Sequence, residues 1–224
     1  SATPKFGYSG GMCGMAEGSQ IYKCASGGNI VANAENIVYA GGICALIQNA
    51  TLYNCYSLSE IHAFAKNGYV GGICGCNSGS IIQNTYSAAS IFTGEKTLTG
   101  GICGYSESGF VMQNVALNPA INGGKSVGAI FGSSDASEIS DNYSCERTLI
   151  NSQLIASSEK NETDKNIDTL RKTDFFLKPL VEGGALGWPN ADMGDDVWQK
   201  ANASYPFPVL SGVKAQTVSA PVYK

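Results

Sequence analysis

The chain has 224 residues, 43% hydrophobic and only 14% charged, with a net charge of −4, a size suited to one large domain or a domain with an appendage. The acidic balance offers no basic surface to a phosphate backbone, which excludes nucleic acid as a natural partner, and no run of about eighteen apolar residues exists to span a bilayer. A start at Ser1 without a charged-then-apolar leader reads as a processed chain or an excised segment.

From the N-terminus, Phe6-Gly7-Tyr8 leads into Gly10-Gly11-Met12-Cys13, and Gln20-Ile21-Tyr22-Lys23-Cys24 follows. The order returns as Ile37-Val38-Tyr39, Gly41-Gly42-Ile43-Cys44 and Thr51-Leu52-Tyr53-Asn54-Cys55-Tyr56-Ser57. It returns again around Gly71-Gly72-Ile73-Cys74 with Ile81-Ile82-Gln83-Asn84-Thr85-Tyr86-Ser87, and around Gly100-Gly101-Ile102-Cys103 with Phe110-Val111-Met112-Gln113-Asn114-Val115. A fifth round, Val127-Gly128-Ala129-Ile130-Phe131 and Ile139-Ser140-Asp141-Asn142-Tyr143-Ser144, keeps the apolar run and loses the Cys. Taking Gly11, Gly42, Gly72, Gly101 and Gly128 as equivalent, the steps are 31, 30, 29 and 27 residues. A fixed period in that range marks a stacked array whose terminal repeats decay. The short alternating runs read as strands.

Several strands per repeat fit one coil of a parallel β-helix, each strand pairing with its equivalent at about 4.8 Å. The expected architecture is all-β: a β-solenoid of about five coils over 1–150 (about 1–25, 26–57, 58–87, 88–117 and 118–150) with a cap or continuation over 151–224. Glycine pairs belong at tight corners, where a Cβ is unwelcome or φ is positive. Asn54, Asn84 and Asn114 are expected to form an amide ladder, and Tyr56, Tyr86 and Tyr143 an aromatic one. Propeller blades run longer, and an antiparallel up-and-down sheet remains open at this period.

Cys13, Cys44, Cys74 and Cys103 recur in register with the anchor, and Cys24 and Cys55 each follow an anchor Cys by eleven residues. Small, readily buried thiols suit a narrow core, so stacked structural cysteines are the favoured reading, ahead of disulfides. A zinc site would need ligand pairs with partners; only Cys74-Gly75-Cys76 approaches the spacing, and His62 is the single histidine.

After about Arg147 the repeat stops. Residues 151–165 read as a polar linker, 165–177 as a short amphipathic helix after Thr163-Asp164, and Pro179 as its stop. Gly183-Gly184 and Trp188-Pro189 mark turns, and Tyr205-Pro206-Phe207-Pro208-Val209-Leu210 an edge strand. Trp188, Trp198, Phe175 and Phe176 are expected to cover the solenoid end against aggregation.

Gly-Gly-Ile-Cys-Gly, a polar turn, then apolar-x-Asn-Cys-Tyr-Ser resembles the GLUG motif, best at 42–57, 72–87 and 101–116 and more weakly at 11–24 and 128–144. Ala45, Val115-Ala116 and the missing Cys near Gly128 depart from it. The resemblance implies a right-handed β-helix in a secreted or surface-attached bacterial protein, such as an adhesin-like protein or the non-catalytic region of an IgA-protease-type metallopeptidase. It carries no catalytic residues to transfer. The expected function is therefore a non-catalytic adhesin-like module meeting a host protein or glycan outside the cell. The alternative is a spacer or substrate-docking domain of a larger surface enzyme, and a polysaccharide-degrading β-helix stands third.

Individual candidates for chemistry fare poorly in the sequence. His62 lies in an Ile61-His62-Ala63-Phe64 alternation that places it outward, and a Ser-His-Asp site would lack a Gly-x-Ser-x-Gly elbow. Glu17 and Glu107 are equivalent but separated by Gln48 and Ser78, which gives no close carboxylate pair. Asn190, Asp192, Asp195 and Asp196 carry oxygen ligands for Ca²⁺ without EF-hand spacing, the pattern of a solvated acidic turn. Gly123-Gly124-Lys125-Ser126 is half a P-loop with no helix expected after it. No catalytic, cofactor or metal residue is assigned.

Overall fold

A computed structural model describes residues 3–154, 162–165, 167–178, 184–189, 197–200, 207–212 and 221–223. The repeats form a parallel β-solenoid of five coils with four strand positions per coil. Sheet A holds Phe6–Gly10, Ile37–Gly41, Asn67–Gly71, Thr97–Gly100 and Ser126–Gly128, and sheet B holds Cys13–Glu17, Cys44–Gln48, Cys74–Ser78, Cys103–Glu107 and Phe131–Asp135. Sheet C stacks Gln20–Tyr22, Thr51–Tyr53, Ile81–Gln83, Phe110–Met112 and Glu138–Ser140. Sheet D begins with Ala25–Asn33 and Tyr56–Phe64 and continues through shorter paired segments to Glu162–Lys165.

The corner between sheets A and B explains the anchor. A Cβ on Gly10, Gly41, Gly71, Gly100 or Gly128 would collide with the carbonyl oxygen of the residue three further on in its own coil: Cys13, Cys44, Cys74, Cys103 or Phe131. A Cβ on Gly11, Gly42, Gly72 or Gly101 would collide with the carbonyl oxygen of its equivalent one coil on: Gly42, Gly72, Gly101 or Ala129. Close approach therefore demands these glycines, and positive φ does not, since none of them is left-handed. The register also corrects the alignment of the fifth repeat: Gly128 pairs with Gly100 and belongs to the first glycine column. Ala129 holds the second, just after the last strand of sheet A, where among the described residues no further strand pairs on.

Two further corners use single left-handed residues. Gly18, Asn49, Gly79, Ser108 and Ala136 turn sheet B into sheet C with φ of 55, 47, 59, 52 and 48°. Lys23, Asn54, Asn84, Gln113 and Asp141 turn sheet C into sheet D with φ of 55, 54, 52, 57 and 53°. Short polar side chains tolerate this region best. Inside, Ile43, Ile73, Ile102 and Ile130 join Cys44, Cys74, Cys103, Leu52, Ile82 and Val111 in one core. Ile30, Ile61, Ile91 and Ile121 from sheet D pack with Val38, Ala40 and Val70 from sheet A in a second.

Both expected ladders are interrupted. Coil four is one residue shorter, so Gln113 takes the place beside Asn84, and Asn114 stands one position later, after Thr85. Asn114 still builds an axial network: its Oδ1 accepts from the Thr85 backbone N–H (3.0 Å) and hydroxyl (2.9 Å), and its Nδ2 donates to Asn142 Oδ1 at 2.9 Å. Tyr56 and Tyr86 stack at 4.9 Å, but Val115 separates them from Tyr143.

The described aromatic residues of the C-terminal region, expected over the solenoid end, pack against its side. Two short helical segments, Ile167–Leu170 and Thr173–Leu177, stand in the region read as a helix. Phe176, Trp188, Trp198 and Phe207 bury Tyr56, Tyr86, Val115 and Leu117 on the outer face of sheet D. Trp198 Nε1 donates to Asn54 Oδ1 at 3.2 Å, Trp188 Nε1 to the Gln113 carbonyl at 3.0 Å, and the Tyr86 hydroxyl to the Pro208 carbonyl at 3.0 Å. Val209–Leu210 pairs antiparallel with Trp198–Gln199, a fragment of the expected edge strand, and Glu162–Lys165 extends sheet D by one parallel strand. Pro179 and Gly183 lie outside the described residues.

The corner rule predicts an asymmetry. Gly72→Ala should destabilise the protein by about 3 kcal/mol or more, because the obstructing atom is backbone and cannot swing away. Ala129→Gly should cost under about 1 kcal/mol, the entropic penalty of an added glycine. Urea denaturation of the two variants checks both values, and equal losses would overturn the rule.

Candidate functional site

The outer columns of sheet D beyond the cap carry the site. Alternation turns Ile61 and Ile91 inward and His62, Phe92 and Asn122 outward on successive coils. The His62 ring stacks on Phe92 with centroids 5.0 Å apart, and its Nε2 donates to Glu60 Oε1 at 2.7 Å. Beside them lies a groove of about 280 Å³ lined by Ser90, Phe92, Pro119, Ala120, Asn122, Leu149, Ser152 and Val222. The lining combines one aromatic ring, aliphatic walls and a few hydroxyl and amide groups, the pattern of a small-molecule or glycan site. Among the described residues its lining holds no Lys or Arg.

The outward placement of His62 agrees with its sequence pattern. Ser90 sits beside Glu60 in register, and Phe92 beside His62. Among the described residues no hydroxyl hydrogen-bonds the His62 ring, so the nucleophile–base geometry of serine chemistry is not assembled.

A second surface row runs where sheets A and B meet. Tyr8 and Tyr39 stack at 4.8 Å, Tyr39 and Tyr69 at 5.1 Å, and Tyr69 meets Tyr105 of sheet B at 5.6 Å. The row changes sheet because Leu98 occupies the sheet A position in coil four. Burial, with smaller contributions from Cys76 and the flanking tyrosines, pushes Tyr39 up to about 12. On this side the register runs Glu17, Gln48, Ser78, Glu107, Asp135. The intervening residues expected between Glu17 and Glu107 are there, but Asp135 neighbours Glu107, a pairing the sequence reading missed. Both side chains are exposed.

All eight cysteines are free thiols, in keeping with the stacked-thiol reading. Cys13 and Cys44 sulfurs lie 3.2 Å apart. The thiols of Cys74 and Cys76 do not converge: Cys74 faces the core, and Cys76 is flanked in register by Leu46 and Tyr105. No metal-binding group of three His, Cys, Asp or Glu forms among the described residues. Asn190, Asp192, Asp195 and Asp196 lie outside them. Gly123-Gly124-Lys125-Ser126 is the loop from sheet D to sheet A, with a strand after it, and Gly124 is required because a Cβ would strike the Glu95 backbone.

No protein-family model matches the chain, and no curated protein matches it. A solved structure from Bacteroides ovatus, described as a "putative immunoglobulin A1 protease", has the same fold: 21% identity, a TM-score of 0.56, and a match over 81% of this chain. The match spans 57% of that protein's chain.

Thiol chemistry separates the first coil from the rest. A hydrogen bond from Cys55 lowers the Cys24 thiol to about 7, whereas burial pushes Cys55 and Cys74 well up. A lowered thiol is thiolate, and reactive, above its pKa. Modification of the folded protein by a disulfide reagent should therefore begin at Cys24, with the rate rising through pH 7 as the thiolate forms. Cys55 and Cys74 should react only on unfolding, and the unfolded, unreduced chain should titrate all eight thiols. Mass spectrometry of the labelled peptides reads the order; early labelling of Cys74 would contradict it.

Proposed function

We propose that the chain is a non-catalytic, GLUG-type binding and spacer module of a bacterial protein displayed outside the cell, and that the sheet D groove takes a neutral glycan. The observation that carries this reading is the row His62, Phe92, Asn122 beside the groove. A pyranose can lay an apolar face on Phe92 while Asn122, Ser90 and Ser152 bond its hydroxyls. The net negative charge, and a lining without cations among the described residues, disfavour polyanions. A stiff stack of coils suits a spacer, since each coil fixes only its neighbours. The likeness to the Bacteroides ovatus protein is in keeping with a docking region of a larger surface enzyme more than with a free-standing adhesin.

Binding to a neutral glycan array tests the reading. Phe92→Ala and Asn122→Ala should each weaken the strongest signal by about tenfold, corresponding to loss of roughly 1.4 kcal/mol from a ring contact or hydrogen bond. A protein with no array signal, or variants that bind as well as the parent, would sink the assignment.

One observation favours a second reading, polysaccharide cleavage. Glu107 and Asp135 are register neighbours on strands about 4.8 Å apart, a spacing that lets two carboxylates approach the roughly 5 Å of a retaining glycosidase. Reducing-end release from a polysaccharide panel decides it: activity lost in both Glu107→Gln and Asp135→Asn would establish a catalytic pair, and no release by the parent would leave the binding role alone.

A further inference from the structure

The first coil is exposed where its equivalents are buried. Met12 is 52% exposed, while Ile43, Ile73, Ile102 and Ile130 at the same corner are each 0%. Cys13, Ile21 and Cys24 are half-buried, and their neighbours Cys44, Leu52 and Cys55 fully so. Phe6, Tyr8, Met15, Tyr22 and Val31 add further exposed apolar surface, from 42% to 60%. Strands of this coil end all four solenoid sheets. The corner hydrogen bonds have one direction: Met12 N–H donates to Ile43 O, Ile43 to Ile73, Ile73 to Ile102 and Ile102 to Ile130. The Met12 carbonyl is thus the acceptor that a preceding coil's N–H would use.

Terminal repeats of solenoids ordinarily turn polar. The fifth coil does so at outward positions only, with Glu138 and Asp141 in the columns of Phe110 and Gln113. The first coil keeps the full interior pattern Gly10-Gly11-Met12-Cys13. A second copy stacked head to tail does not fit, because the Cβ of Ala129 would meet the Gly11 carbonyl as a Cβ on Gly101 would meet that of Ala129. A copy related by a two-fold axis would bring strands together antiparallel and could not pair four different sheet edges at once.

We propose that this edge docks one further coil of the same cross-section, entering parallel from polypeptide ahead of Phe6. That coil carries glycine over Gly11, an apolar residue over Met12 and a small one over Cys13. The inference is independent of any ligand at the sheet D groove.

The test extends the chain. A copy of residues 37–66 placed directly ahead of Phe6 keeps the 30-residue step by which Ile37 precedes Asn67. The extended protein should unfold at higher urea than the parent, and Cys13 and Cys24, now covered by a coil, should react several-fold more slowly with a disulfide reagent. The same extension with the copied Gly42 changed to Ala should lose both effects, because the new Cβ would strike the Gly11 carbonyl. An extension that changes neither midpoint nor the labelling of Cys13 and Cys24 overturns the proposal, as does an Ala version that performs as well. Sedimentation adds the other occupant: a defined dimer of the parent that Val31→Lys dissolves would assign the edge to a second copy and also overturn it.

Discussion

The carbonyl oxygen of one coil occupies the space that a Cβ would need on the preceding coil's second corner glycine. That approach, repeated from Gly11 to Ala129, holds the coils in register. A slip of one residue would bring Ile43 or Ile73 into a position that admits only hydrogen, so register is fixed by sterics as well as by the hydrophobic pattern. The first corner glycine has a different duty. Its clash is with its own coil, so Gly128 persists in the last coil while the second glycine is released to Ala129. Two adjacent glycines thus answer to two constraints, one within a coil and one between coils.

A corner this tight limits the inner side chains that follow it. Cysteine recurs at Cys44, Cys74 and Cys103, flanked by isoleucines, and Phe131 fits in the last coil. Burial raises the inner thiols and suppresses their nucleophilicity. Cys24 escapes this because the hydrogen bond from Cys55 outweighs its partial burial. The same dense packing makes the isoleucine row from Ile30 to Ile121 a second axial support, separate from the first.

The repeat, the parallel coils and the corner glycines were legible because a period and a steric requirement both write themselves into residue identity. Register within the period was less so. Asn114 follows Gln113 and imitates the Asn54 and Asn84 positions, but it stands one residue farther from its anchor glycine than they do, a shift written in the spacing that puts Gln113 in their column. Asp135 escaped notice for a related reason: its strand had lost the Cys that identified the others, so its alignment to Glu107 rested on backbone pairing alone. The cap was recognisable from its aromatic residues, yet its location was not. Tyr56 and Tyr86 look like members of a self-contained ladder, and only the structure shows them as the buried floor beneath Trp188 and Trp198. The sheet D groove was invisible for the same reason, since its walls come from three separate strands, their connections and a terminal segment.

Placement of the cap decides which surface is available. By burying the first half of sheet D's outer face it leaves the columns of His62, Phe92 and Asn122 as the open half of that sheet, with the groove beside them. Those columns alternate with the isoleucines of the second core, so an outward residue can change while its inward neighbours continue to hold the coil. Substitution along an outward column therefore alters the surface one ladder step at a time, at little cost to the fold. An enzyme site on the same scaffold would need two outward residues on adjacent coils to be chosen together, and in the described residues the carboxylates Glu107 and Asp135 are such a pair. They project from an exposed face, whereas the aromatic and amide row on sheet D borders a concave one. Recognition benefits from concavity because it removes ligand surface from water, and that difference is the physical basis of the binding proposed at sheet D.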